Sequence, residues 1–150
     1  MTETYLTPIN EQDLRTYIGN NAEYFIQART ALLAGERPRW NWAACGLAPF
    51  WFAYRKCWGW MGLAFLVGFD PYAFFITPYV FGAYGTRWYL EHCVKQITRI
   101  QHLQKNPKLY GHALREQGGT SALAVLLVLA VSLIVSGWVA LTLLPSDLLI

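Results

Sequence analysis

Along the first 39 residues hydrophobic and polar positions recur at helical spacing. Asn10 precedes EQDLRTYI and places Asp13 in a first turn, which predicts a short capped helix. Asn20 or Asn21 opens a second helix, in which Phe25, Ala28, Leu32 and Leu33 share one face and Gly35 supplies the stop. The pattern predicts a pair of amphipathic helices lying against a membrane or against the rest of the protein.

From Trp40 the polar positions nearly vanish. In WNWAACGLAPFWFAYRKCW, Pro49 disfavours helix at Ala48 but suits the first position of a new one. NWAACGL therefore reads as a short separate element, followed by a helix from Pro49 to Phe69 of about 31 Å, close to one hydrocarbon thickness. Arg55 and Lys56 lie near its start, where side chains lean back toward the surface the helix entered from. Trp51, Tyr54 and Trp58 flank them as an interfacial aromatic belt would, and Trp51 and Arg55, four apart, are spaced to stack as a cation–π pair.

Asp70-Pro71 reads as a tight turn. PYAFFITPYVFGAYG then forms a second apolar run with Pro78 as an expected kink, and it continues into TRWYLEHCVKQITRIQHLQK. There Leu90, Val94, Ile97 and Ile100 make an apolar stripe opposite Arg87, Lys95, Arg99 and Lys105, which predicts a basic amphipathic helix ending at Pro107. After GGTS, residues Ala122 to Leu144 carry no charge, enough for a membrane-crossing helix capped by Thr120 or Ser121. Ser132, Ser136 and Ala140 recur every four residues as a candidate helix-packing row.

Composition points the same way. Of 150 residues, 55% are hydrophobic and 14% charged, against roughly 25% charged in ordinary soluble domains. The net charge of +3 gives little support to nucleic-acid binding. Four Lys/Arg precede residue 49 and six lie between Arg87 and Arg115, so ten of the twelve fall in two regions. The positive-inside rule puts both on the cytoplasmic side and the final PSDLLI outside. The first fifteen residues lack the apolar stretch of a cleavable signal. Cys45, Cys57 and Cys93 form neither a CxxC pair nor an even set, so neither a disulfide framework nor structural zinc is expected.

The expected fold is an all-α polytopic membrane protein. Amphipathic cytoplasmic helices (1–39) lead to an aromatic-rich helical hairpin (40–88), a basic amphipathic cytoplasmic segment (89–120) and a third transmembrane helix (121–145).

Asn41-Trp42-Ala43-Ala44, the Gly46–Trp51 centre and Tyr54-Arg55-Lys56, together with YIGNNAEYFIQAR at 17–29 and GGTS before the last span, resemble the DUF2628 family of small bacterial membrane proteins. The likeness covers about two-thirds of the chain. It implies a bacterial inner-membrane protein and assigns no reaction.

Few residues are spaced for chemistry. His92, His102 and His112 are ten apart and do not share a helical face, and Glu91, His92 and Cys93 point in different directions, so no metal or cofactor is expected. Asp70 stands alone. The candidate lipid- or partner-binding residues are Trp51, Arg55, Lys56 and Arg87, with an anionic lipid headgroup or a partner's carboxylate as ligand. Helix 87–105 is suited to anionic lipid or to a cytoplasmic partner. These features lead to a non-enzymatic inner-membrane subunit acting by association, partnered by the bilayer and by another membrane protein or a second copy. The alternatives are an oligomeric channel or transporter subunit, for which Thr77, Ser132 and Ser136 are the polar lining, a lipid-modifying enzyme using Asp70 or the histidines, and a membrane immunity-type protein.

Overall fold

The structure, a computed structural model, describes residues 7–68 and 72–143. The expected Asp70-Pro71 turn and the 145–150 tail lie outside the described residues. Every regular element among those described is helical: α1 Glu11–Ile18, α2 Ala22–Leu33, α3 Trp42–Tyr54, α4 Trp58–Val67, α5 Ala73–Leu103, α6 Pro107–Gln117 and α7 Ala122–Leu143.

The local signals for α1 and α2 act as expected. The Asn10 side chain accepts from Gln12 N at 3.0 Å, and Gly35, at φ +77°, turns the chain out of α2 while Glu36 N bonds Ala31 O at 2.8 Å. Asn21 opens α2 through a left-handed backbone without a side-chain cap. Arg15 bridges Glu11 at 2.8 Å and Glu23 at 2.7 Å, which joins the two helices at the surface.

The helix expected over 49–69 is interrupted. Lys56 adopts φ +57°; Lys56 N bonds Ala53 O at 3.0 Å and Cys57 N bonds Phe52 O at 2.8 Å. This pair of reversed bonds is a Schellman ending, built on lysine where glycine is usual. It separates α3 from α4, whose ten residues rise only about 15 Å. The break predicted before Pro49 is present as non-helical geometry at Leu47, inside the span of α3. By contrast α5 continues as one helix of 31 residues with Pro78 inside it.

Leu90, Val94, Ile97 and Ile100 on α5 are fully buried, and α1, α2 and α6 pack against this helix. The stripe expected to meet lipid or a partner is therefore covered by the chain's own helices. Tyr110 of α6 donates to Asp13 of α1 at 2.8 Å and closes that packing. Asn106 caps α6 by accepting from Lys108 N at 3.1 Å.

Three junctions meet at one level. Gly119 N bonds Tyr17 O at 2.7 Å and Ser121 N bonds Tyr54 O at 2.9 Å, so the start of α7 is held against the ends of α1 and α3. The Ser121 hydroxyl caps α7 by accepting from Ala124 N at 3.2 Å. Gly118 has no room for a side chain, because a Cβ there would run into Tyr17 O. On one side of this level lie α1, α2, α6 and the second half of α5, which carry most of the charges. On the other lie α4, the first half of α5 and α7, where the described residues between Cys57 and Thr86 and those beyond Gln117 hold no Asp, Glu, Lys or Arg.

The apolar side is largely unburied. Leu66, Tyr72, Phe75, Leu133, Ile134 and Trp138 are each at least two-thirds exposed or close to it. Large apolar side chains exposed in such number are a feature that water-soluble monomers seldom show. Among the described residues one helical stretch, ending in α7, is long and apolar enough to cross a membrane.

Candidate functional site

Arg55 is the residue around which the boundary is built. It closes α3, yet its side chain is only 7% exposed. Its Nη1 donates to Asn20 O at 3.0 Å. The guanidinium carbon lies 4.7 Å from the Phe25 ring centroid, 5.3 Å from Tyr89 and 5.7 Å from Tyr54, and its Nε has no hydrogen-bond partner. Three rings from α2, α5 and α3 thus surround a cation, and their negative faces offset part of its desolvation. Arg55 does not snorkel to a surface, and its ring partners are these three rather than the expected Trp51. Trp51 is itself buried, with its edge-on contacts made to Phe52 at 5.0 Å and Tyr89 at 5.8 Å.

Lys56 is turned elsewhere. Its Nζ donates to Gly118 O at 2.6 Å and to Glu116 O at 3.1 Å. These are carbonyls at the carboxyl end of α6, where a cation also meets the negative end of the helix dipole. Neighbours in sequence, Arg55 and Lys56 lock two different helices onto the end of α3. The left-handed backbone at Lys56 is what sends them apart.

Asn41, at the other end of α3, makes the second lock. Its side-chain oxygen caps the helix through Ala44 N at 3.0 Å, its Nδ2 donates to Thr86 Oγ1 at 3.1 Å, and its backbone N bonds Gly82 O at 3.0 Å. Tyr24 adds a contact to Thr86 at 3.5 Å and donates to Arg39 O at 3.2 Å. Trp40 lies over Gly82, where a Cβ would strike its ring, and Ala44 lies 2.9 Å from the Cβ position of Gly85. Two glycines one helical turn apart let α3 approach the α5 backbone this closely.

With both ends fixed to α5 at residues 82–89, the Leu47 kink of α3 reaches toward the apolar side. There it lines a groove of about 320 Å³ with Pro49, Thr77, Pro78, Ser132 and Ser136. The three polar positions singled out in the sequence, Thr77, Ser132 and Ser136, thus share one groove. Ser132 donates to Val128 O at 2.7 Å and Thr77 to Ala73 O at 2.6 Å, which satisfies both hydroxyls within their own helices. Ala140 is exposed further along α7 and takes no part in lining the groove. The packing of α7 on α3 comes from Ala124 and Val128 against Ala53 instead.

Arg87 lines a separate cavity of about 800 Å³ with Leu32, Glu36, Arg37, Trp40 and Tyr84. It pairs with Glu91 at 3.3 Å. The candidate set Trp51, Arg55, Lys56 and Arg87 is therefore divided among three places: Trp51 and Arg55 in the core, Lys56 on α6 and Arg87 in this cavity.

The remaining chemistry-bearing residues stay dispersed. Burial, with a smaller contribution from Lys95, lowers the His92 pKa. His102 and His112 are exposed on α5 and α6, and His112 lies 3.5 Å from Glu116. Among the described residues no three His, Cys, Asp or Glu side chains gather as a metal site would require. Cys93 is fully buried, Cys57 likewise, and Cys45 partly so.

Comparison with protein families, curated proteins and solved structures finds no match to this chain.

Proposed function

We propose that this chain is a non-enzymatic integral membrane protein that acts by association, as an accessory or assembly subunit of a larger membrane complex. The observation carrying the reading is the division at Arg55. Charged helices pack into a closed cluster on one side of it, and α4, the first half of α5 and α7 turn their large apolar residues outward on the other.

In this reading α7, at about 33 Å, crosses the hydrocarbon layer, while the α4–α5 hairpin enters it from the side that carries the charges. The positive-inside bias makes that side the cytoplasm, with a bacterial inner membrane as the setting. The resemblance of the Asn41–Lys56 block to the DUF2628 family, which the family comparison does not return as a match, would imply the same setting and assigns no reaction. The groove at the α3 kink is the candidate contact for a neighbouring helix, because small residues there permit close approach.

Extraction in a mild detergent, followed by size and mass analysis, tests the proposal. A second protein, or a second copy, should co-purify in fixed ratio. A monodisperse monomer with no companion would count against association. Saturable solute movement in liposomes would favour the channel or transporter alternative.

A further inference from the structure

The cavity beside Arg87 is not used by the packing described above, and its lining is chemically divided. Arg37, from the segment joining α2 to α3, and Arg87, from α5, supply two guanidinium groups, and Glu36 is the one carboxylate among the lining residues. Leu32, Trp40 and Tyr84 supply the apolar walls. The volume, about 800 Å³, falls within the range of small-molecule sites.

Position makes the lining informative. Residues 83–87 of α5 lie just on the apolar side of Tyr89, which touches Arg55 at the charge boundary. From the cavity an apolar stripe continues down the same helix face through Val80, Tyr79 and Ile76, exposed by 36%, 69% and 66%. A helix repeats its face every three to four residues, so Ile76, Tyr79 and Ala83 lead to Arg87 in one line. Guanidinium groups match phosphate oxygens in charge and in planar two-point geometry. A ligand that fits the whole feature has an anionic phosphate at one end and apolar chains at the other.

We propose that this cavity binds an anionic glycerophospholipid, its phosphate between Arg37 and Arg87 and its acyl chains along Val80, Tyr79 and Ile76. The proposal rests on the membrane reading and refines it: the headgroup site is Arg37 with Arg87, not Arg55 with Lys56, whose donors are turned to internal carbonyls and rings. Glu91, which pairs with Arg87 at 3.3 Å, competes with a phosphate for that guanidinium.

The test is native mass spectrometry of the full chain released from mild detergent, after exposure to equal amounts of phosphatidylglycerol and phosphatidylcholine with identical acyl chains. The unmodified chain should retain the anionic lipid about tenfold more often. The double variant Arg37→Gln, Arg87→Gln should lose that preference, and Arg99→Gln with Lys105→Gln, equally basic but distant, should keep it. Glu91→Gln should raise retention several-fold, an outcome that misfolding would not produce. Equal retention of the two lipids, or a preference that survives the Arg37/Arg87 double variant, would overturn the proposal. So would displacement of the lipid by an equal concentration of glycerol 3-phosphate, since the apolar stripe would then contribute nothing. Failure of the membrane reading is separately visible, because the chain would then remain in solution before any detergent or lipid is added.

Discussion

Lys56 Nζ lies 2.6 Å from Gly118 O, across 62 residues of sequence. That bond holds the end of α6 to the end of α3, and it accompanies a backbone conformation a lysine rarely adopts. A left-handed residue with a Cβ costs about 1–2 kcal/mol, so the side-chain bonds and the strain oppose each other at one position.

The two contributions separate by substitution. Lys56→Ala loses the bonds to Glu116 and Gly118 and keeps the strain, whereas Lys56→Gly loses the bonds and relieves it. Lys56→Ala should therefore be less stable than Lys56→Gly by about 1 kcal/mol. Thermal unfolding of the detergent-solubilised variants reads the difference. The reverse order would mean that Lys56 is not held left-handed.

Arg55 should be among the most sensitive positions. Arg55→Ala removes the cation from the Phe25, Tyr54 and Tyr89 rings and leaves a cavity at the meeting of three helices, a loss of about 2–4 kcal/mol. Arg55→Lys keeps the charge but not the planar group, and its loss should be intermediate. A melting temperature unchanged in Arg55→Ala would show that the enclosure contributes nothing.

Two close approaches, of Trp40 to α5 and of the end of α1 to the end of α6, predict steric sensitivity at two small residues. Gly82→Ala must displace Trp40, and Gly118→Ala must move the Tyr17 backbone. The first should cost about 1–3 kcal/mol. The second should cost more, because a carbonyl in the main chain yields less readily than a partly exposed indole. Gly46→Ala, where a Cβ meets nothing within 4 Å, serves as the comparison and should be near neutral. Indole fluorescence should shift in Gly82→Ala and stay unchanged in Gly46→Ala.

The cluster of α1, α2, α5 and α6 should loosen at both extremes of pH. Burial, and then the bond to Asp13, pushes the Tyr110 phenol up to about 12. A raised folded-state value means that this stabilisation is complete below the ordinary phenol value near 10 and is lost as pH rises through 12. His92 carries the opposite sign: its value lies below 6.5, so its contribution is present above that pH and is lost as pH falls through the lowered value. Tyr110→Phe should flatten the alkaline limb of a stability profile and leave the acid limb in place. An alkaline limb identical in Tyr110→Phe would assign it to another group.

What could be read from the sequence was what is decided locally. Asn10, Gly35 and Ser121 act within a few residues, and each does what its chemistry suggests. The uncharged run of α7 is equally plain. The interruption at Lys56 was not readable, since lysine is a poor left-handed residue and is held there by carbonyls 60 and 62 residues away. The Asn41–Thr86 bond and the Asp13–Tyr110 bond are long-range for the same reason. The Gly82/Gly85 spacing was a usable signal: two glycines a turn apart in an aromatic run mark a place where another backbone comes close. The stripe Leu90–Ile100 is plainly apolar in sequence, but amphipathicity alone does not say whether lipid, a partner or the chain itself covers the face.

The most direct measurement of which solvent surrounds the apolar half is thiol accessibility in intact membranes. Leu133→Cys on α7 and Ile76→Cys on α5 should resist a water-soluble maleimide beyond the labelling of the unmodified chain, and should react once detergent is added. Lys105→Cys, at the charged end, should react in both conditions when the reagent reaches that side. Rapid labelling of Leu133→Cys and Ile76→Cys in sealed and opened membranes alike would place those faces in water and contradict the account.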